Sequence, residues 1–310
     1  MKAVKASALG KIILLGEHAV VYGHPAIAVP VAGVRVTVEI EPAARGSGLS
    51  IYSGTLRETF RFGAMPPHHP LSVLVSLVLK EFNQSVPDAR AAIESSIPVA
   101  GGLGSGAAVS AALARALARW WGRTLTPQEL SSLVFKVEKL HHGTPSGIDN
   151  TVICFEMPVY YVRGVPPQTL IVREPLDLIV ADTGIRSPTK TSVDAVRNLW
   201  QSDQQRFDAA FAEIGSLVRE ARQALETGRL VELGILMTKN QDVLRTLSVS
   251  SANLERLIVS AMQLGALGAK LSGGGRGGIM VALVEPDSVV SIMDGLRAAG
   301  ATNVFHTSVQ

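Results

Sequence analysis

The chain has 310 residues, 47% of them hydrophobic and 18% charged, which is enough apolar material for roughly two cores and argues against disorder. Lys plus Arg outnumber Asp plus Glu by 29 to 26, a net charge of +3 that excludes a polybasic surface for nucleic acid or an anionic membrane and leaves room for a small anionic ligand. The single cysteine, Cys154, cannot form an intramolecular disulfide, and the short apolar run Ile12 to Leu15 is closely followed by Glu17 and His18, so a reducing, cytoplasmic setting is expected.

In chain order, the first 62 residues read as strands. Val34, Val36, Val38 and Ile40 alternate with smaller or polar residues, and alternation returns from Arg57 to Phe62 after Ser53-Gly54. Helical spacing follows from Leu71 to Phe82, then a short strand from Ala91 to Ile97 and a helix of small residues from Ala107 to Trp121. The uncharged stretch Ser95 to Ala114 holds Pro98 and four glycines, so it reads as a loop entering a helix rather than a membrane span. Thr126-Pro127 with Glu129 opens another helix, Thr126 as N-cap and Pro127 at the first helical position, ending near His141 before Gly143. Prolines punctuate Val165 to Pro175, a strand covers Leu176 to Ala181, and helical patterns run from Val193 to Leu264. A domain boundary is expected near Glu174, giving domains 1–174 and 175–310. The chain closes with strand, glycine loop, strand, a helix from about Asp287 to Ala299 and a strand near Asn303 to Thr307.

Three segments carry chemistry. The loop Pro98-Val99-Ala100-Gly101-Gly102-Leu103-Gly104-Ser105-Gly106-Ala107-Ala108 lies between an expected strand and helix, where backbone amides and a helix N-terminus can converge on phosphate. A dinucleotide fold would need an acid some way downstream to hold the ribose, and none occurs from Ser95 through Gln128. A P-loop fails too, because Gly10-Lys11 is followed by Ile12. Next, Glu138, His141 and His142 precede Asp149. Asp149 could take a proton from a hydroxyl and Glu138 could hold Mg²⁺ through oxygen, although a lone carboxylate–imidazole pair also suits a solvated helix end. Last, Gly273 to Gly278 packs five glycines into six positions ahead of an apolar strand, which implies close backbone approach and favours a ligand-facing loop.

Taken together, Gly10-Lys-Ile-Ile-Leu-Leu-Gly-Glu-His-Ala-Val-Val-Tyr-Gly23, Pro98 to Ala108 and Gly268 to Gly278 resemble the signatures of the GHMP kinase superfamily, in family order and across nearly the whole chain. His142-Gly-Thr-Pro-Ser-Gly-Ile-Asp149-Asn150 and Glu17-His18-Ala-Val narrow the resemblance to the kinases whose acceptor is mevalonate. The resemblance implies a two-domain α+β fold, the N-terminal domain ribosomal-S5-domain-2-like and the C-terminal one ferredoxin-like, with the active site between them. It implies that the Pro98 to Ala108 loop wraps the ATP phosphates, that Glu138 and Ser105 serve Mg²⁺, that Asp149 is the catalytic base with Lys11 as the cation beside it, and that Glu17, His18 and Thr183 line the acceptor side.

Two positions depart from the family pattern. Leu9 stands where the family has Pro, which removes a turn restraint and no chemical group. Gly106 stands where the family usually has a second Ser, so Ser105 or water must supply that oxygen to the metal. The expected activity is ATP-dependent phosphorylation of the primary hydroxyl of (R)-mevalonate in isoprenoid precursor synthesis, by a protein without nucleic-acid or membrane partners; family members are often homodimers, and the sequence leaves the oligomeric state open. A kinase for phosphomevalonate or a sugar, or a non-catalytic binding module on the same fold, stays open on the residues alone.

Overall fold

A computed structural model of the chain describes residues 2–98, 102–142 and 145–310. Contacts divide the chain into two interleaved compact units, one of Met1–Gly10, Val34–Pro98 and Gly104–Glu156, the other of Lys11–Gly33, Val99–Leu103 and Met157–Gln310. Two long strands, β1 (Val4–Leu15) and β2 (Ala26–Pro42), run through both units and pair with each other.

In the first unit β2 pairs antiparallel with β5 (Ala89–Ser95), Val36 opposite Ser95 and Pro42 opposite Ala89. β5 in turn lies parallel to β3 (Leu49–Ser53), and β4 (Glu58–Arg61) closes the edge. The alternation read from the sequence is what this sheet needs. Val36, Val38, Ile40, Ile51, Ala91 and Ile93 turn inward and are buried, while Glu39, Glu41, Arg90 and Arg61 are exposed. The helical layer consists of α1 (Pro70–Phe82), α2 (Ser105–Trp120), α3 (Pro127–His142) and α4 (Ile148–Phe155), with α2 packed against the other three and against β5. Alanines at 107, 108, 111, 112, 114, 116 and 118 on α2 are all buried and let those neighbours approach closely.

α3 starts as its sequence dictates. The Thr126 hydroxyl accepts from the Glu129 N–H at 3.2 Å, and the Glu129 carboxylate accepts from the Thr126 N–H at 2.8 Å, a reciprocal capping box. α4 departs from the sequence reading, which places a turn and then a lone acid there. It is only eight residues long and is opened by left-handed Gly147, so its periodicity is too short to stand out.

In the second unit the sheet order is β11-β8-β10-β9, with β8 Leu176–Asp182, β9 Gly268–Ser272, β10 Ile279–Val284 and β11 Asn303–Val309, all neighbours antiparallel. Helices α5 (Thr189–Ser202), α6 (Gln204–Thr227), α7 (Leu230–Thr246) and α8 (Ala252–Gln263) fill the connection from β8 to β9, and α9 (Val289–Ala298) joins β10 to β11. This is the β-α-β-β-α-β order of a ferredoxin-like split βαβ layout. The short strands β6 (Val159–Tyr161) and β7 (Gln168–Thr169) add to the Ala26–Ala28 stretch of β2. Every residue of β9 and β10 is buried, including a lysine, Lys270.

Candidate active site

Within the second unit, β1 runs into a turn that only glycine can make. Gly16 has φ +104°, and a Cβ there would lie 2.5 Å from Ala26. Glu17 and His18 follow, His18 itself left-handed at φ 61°, and a 3-10 turn, Ala19–Tyr22, ends at left-handed Gly23. The Glu17 side chain is fully buried and pairs with the equally buried Lys270 ammonium. Burial pushes the Glu17 carboxyl up and the Lys270 ammonium down, and their mutual attraction opposes both shifts.

β9 and its continuation hold this segment at every second residue. Lys270 takes Glu17; the Ser272 hydroxyl accepts from Ile13 N–H at 3.0 Å and donates to Ile13 C=O at 2.9 Å; the Gly274 carbonyl takes His18 Nε2 at 3.1 Å. A carbonyl can only accept, so Nε2 carries the proton. Desolvation lowers the His18 pKa to about 4, so at neutral pH the ring is neutral and its Nδ1 is an acceptor. β9 is an edge strand, and on α7 the Gln241 side chain accepts the Leu271 N–H at 3.0 Å while donating to Ser250 and Glu255. The edge is therefore covered by side chains rather than by another strand.

The glycine segments converge in the same unit. Lys11, 2% exposed, donates its backbone N–H to Leu103 C=O at 3.1 Å, and a Cβ on Gly102 would lie 3.5 Å from Ser272 C=O. Thr183 donates both its N–H and its hydroxyl to Gly278 C=O, each at 2.9 Å, tying the end of β8 to the third glycine loop. That loop is crowded by the chain itself. A Cβ on Gly275 would collide with Val249 C=O, and one on Gly277 would lie 2.7 Å from Ile185 C=O. Packing of this chain's own backbone thus requires glycine at 275 and 277, two of the five glycines of this loop.

In the first unit, left-handed Gly104 caps α2, whose first turn carries Ser105 and Gly106 and, across sixteen residues, ends a full helix dipole there. Glu138, 8% exposed on α3, brings Oε1 to 3.4 Å from the point where a Cβ on Gly106 would sit. The smallest side chain therefore stands beside a carboxylate at a helix N-terminus. Asp149 lies in the first turn of α4, where the helix N-terminus favours negative charge. Buried Asn150 donates to Ser131 Oγ at 2.8 Å, joining α4 to α3, and Arg115 on α2 donates to Ser7 C=O at 2.8 Å, Cys154 C=O at 3.0 Å and the Glu156 carboxylate at 2.5 Å. Both ends of α4 are clamped.

A buried lysine following a glycine, Lys11, a glycine loop opening a helix and acids at helix ends are residue types that phosphoryl transfer uses. Residues 71–156 match the GHMP kinases N terminal domain and residues 221–302 the GHMP kinases C terminal domain. The chain belongs to the GHMP kinase family. It is 34% identical to a mevalonate kinase of Thermococcus sibiricus over 96% of this chain and 93% of that one, and 34% identical to a mevalonate kinase of Aeropyrum pernix over 93% and 90%. It is also similar to the crystal structure of L. major mevalonate kinase in complex with R-mevalonate, at TM-score 0.85 and 31% identity, covering 99% of this chain and 96% of that one. This GHMP kinase therefore has the family's two-domain α+β fold and is an ATP-dependent small-molecule kinase, grouped with mevalonate kinases.

Of the site residues expected from the sequence, Lys11, Glu17, His18, Gly102, Leu103 and Thr183 fall in one unit of the GHMP kinase, and Pro98, Gly104, Ser105, Gly106, Ala107, Ala108, Glu138 and Asp149 in the other. Val99, Ala100 and Gly101 lie outside the described residues, as do Gly143 and Thr144 of the second signature. Sequence reasoning misses Lys270, Ser272 and Gln241. The available signal is a lone lysine in a strand of otherwise small and apolar residues, Gly268-Ala-Lys-Leu-Ser, because a buried ammonium demands a partner. Among the described residues no group of three or more His, Cys, Asp or Glu could hold a metal, and no helix is long and apolar enough to cross a membrane.

Proposed function

We propose that this GHMP kinase transfers the γ-phosphoryl group of ATP to the primary hydroxyl of (R)-mevalonate, giving 5-phosphomevalonate in isoprenoid precursor synthesis. The observation that carries the reading is full-length similarity, at 31% identity and TM-score 0.85, to a mevalonate kinase bound to R-mevalonate. A boundary near Glu174 separating an N-terminal from a C-terminal domain is supported by the two family matches, which fall on either side of it. A cytoplasmic setting is supported by the lone cysteine, buried in α4 with its thiol pushed up to about 12 by desolvation.

In this reading the Pro98 to Ala108 loop and the N-terminus of α2 bind the ATP phosphates through backbone N–H groups. Asp149 accepts the proton of the primary hydroxyl, whose oxygen forms the new P–O bond as ADP leaves with the electrons of the broken one. Lys11 supplies the positive charge that favours the developing alkoxide. Glu17, His18 and Thr183 belong to the acceptor side.

The residues also fit Mg²⁺. Mg²⁺ prefers one or two carboxylates with substrate phosphates rather than an all-protein cage, and Glu138 presents an oxygen beside the first turn of α2. Glu138 and the Ser105 hydroxyl would hold the ion, and Gly106 leaves room there. When bound, Mg²⁺ neutralises charge on the phosphate oxygens. Glu138→Gln should raise the Mg²⁺ concentration needed for half-maximal turnover, and an unchanged metal titration would move the ligand elsewhere.

The deciding experiment is ADP release from MgATP by the purified protein with mevalonate, phosphomevalonate, homoserine, galactose or no acceptor. Stimulation by mevalonate alone is expected. A faster rate with another acceptor would leave only the small-molecule kinase, and no stimulation at all would favour a binding module.

A further inference from the structure

Lys270 belongs to no expected role, yet its ammonium is entirely buried. A buried ion pair is a poor device for stability alone, since apolar residues of similar volume often hold a fold as well. Its value has to lie in what it fixes. Three alternate positions running from β9 into its loop, Lys270, Ser272 and Gly274, bond to Glu17, Ile13 and His18 in turn. The segment so held contains Gly16 at φ 104° and His18 at φ 61°. A left-handed non-glycine residue persists only where its surroundings over-determine it. Here the surroundings are the Glu17 side chain on one side of the strained residue and its own ring on the other.

Glu17 cannot itself meet a ligand while its side chain is fully buried on Lys270. His18 can: its Nε2 proton is committed to Gly274 C=O, and desolvation keeps the ring neutral at pH 7, so Nδ1 carries a lone pair. A lone pair attracts a hydroxyl donor and repels a carboxylate.

We infer that Lys270 is a positioning residue for acceptor recognition: through Glu17 it locks the Gly16–His18 turn so that the His18 ring offers Nδ1 to a hydroxyl of the acceptor, not to its carboxylate. The inference rests on the proposed acceptor side of this kinase. Lys270 touches neither substrate nor phosphate in this scheme, and its effect on catalysis passes through Glu17 and His18.

The test uses the full chain with Lys270→Met, which strands the Glu17 carboxylate, and with the paired change Glu17→Gln/Lys270→Met, which removes both charges and guards against a variant that merely unfolds. In both, the KM for mevalonate should rise about tenfold, the scale of one lost oriented hydrogen bond, with the KM for ATP unchanged. The paired variant should regain the thermal midpoint without regaining the mevalonate KM. Nitrogen shifts of ¹⁵N-labelled His18 should report the Nε2–H tautomer in the unaltered protein and its loss in both variants. A paired variant with the original mevalonate KM would reduce the pair to a structural role, and an unaltered His18 tautomer in both variants would overturn the inference outright. Absence of mevalonate-dependent turnover in the unaltered protein would sink the acceptor assignment instead, and the His18 shifts would still decide whether Lys270 positions the ring.

Discussion

In the unit that carries Lys11 and Glu17, a carboxylate and an ammonium are taken inside and paired through one Glu17 oxygen, the other being buried without a hydrogen-bond partner among the described residues. Lys270 and Glu17 are both buried, the His18 ring is bonded to a carbonyl, and Gln241 fills the exposed edge of β9. In the unit that carries Glu138 and Asp149, the acids stand at helix ends, one beside the first turn of α2 and one in the first turn of α4, and the clamping is done by Asn150 and Arg115 instead. The difference is one of purpose. Charges that hold backbone in place must be desolvated and paired, whereas under the proposed function Glu138 and Asp149 have to remain able to meet a metal ion or a proton.

The contrast breaks most visibly at Asp149. Asp149→Asn keeps size and the Asn150 clamp, so turnover should fall by at least about 10²-fold, the scale of a lost general base, with ATP binding retained. Undiminished turnover would place the base elsewhere. At Lys270 the loss should appear as stability: Lys270→Met leaves a buried carboxylate without its cation and should cost about 3–5 kcal/mol in denaturant unfolding. A cost near zero would mean that the pair is solvated in solution.

His18 sharpens the contrast through pH. Its folded pKa, about 4, lies below the ordinary 6.5, so the unfolded chain binds more protons between those values. The stability tied to a neutral His18 is fully present above pH 6.5 and is lost as pH falls through about 4. The unfolding free energy of the protein relative to His18→Gln should decline across that window, and a flat difference would show that the ring is not desolvated. The smallest effect is local: Thr126→Ala should remove the capping box of α3 for about 1 kcal/mol, with turnover unchanged. A loss of activity there would tie the start of α3 to Glu138 at its other end.

What could be read without the structure follows from range. The capping box is written in Thr126, Pro127 and Glu129, the inward faces of β2 and β5 in an alternation of period two, and the helix after the glycine loop in a run of small residues, all within a few positions of each other. The helix start at Gly104 and the placement of Asp149 just after a turn belong to this class. α4 was not legible, because eight residues opened by a left-handed glycine offer barely two turns of periodicity.

The sequence by itself determined the longer elements and their order, the signatures and the family, because local hydrogen bonding and side-chain period act over neighbouring residues. Only the tertiary structure decided that Glu17 meets Lys270 across 253 positions, that Ser272 bonds Ile13 across 259, and that the third glycine loop is crowded by its own chain. Burial decides those pairings: an ammonium or a carboxylate removed from water must find its partner in space, wherever the chain has placed it.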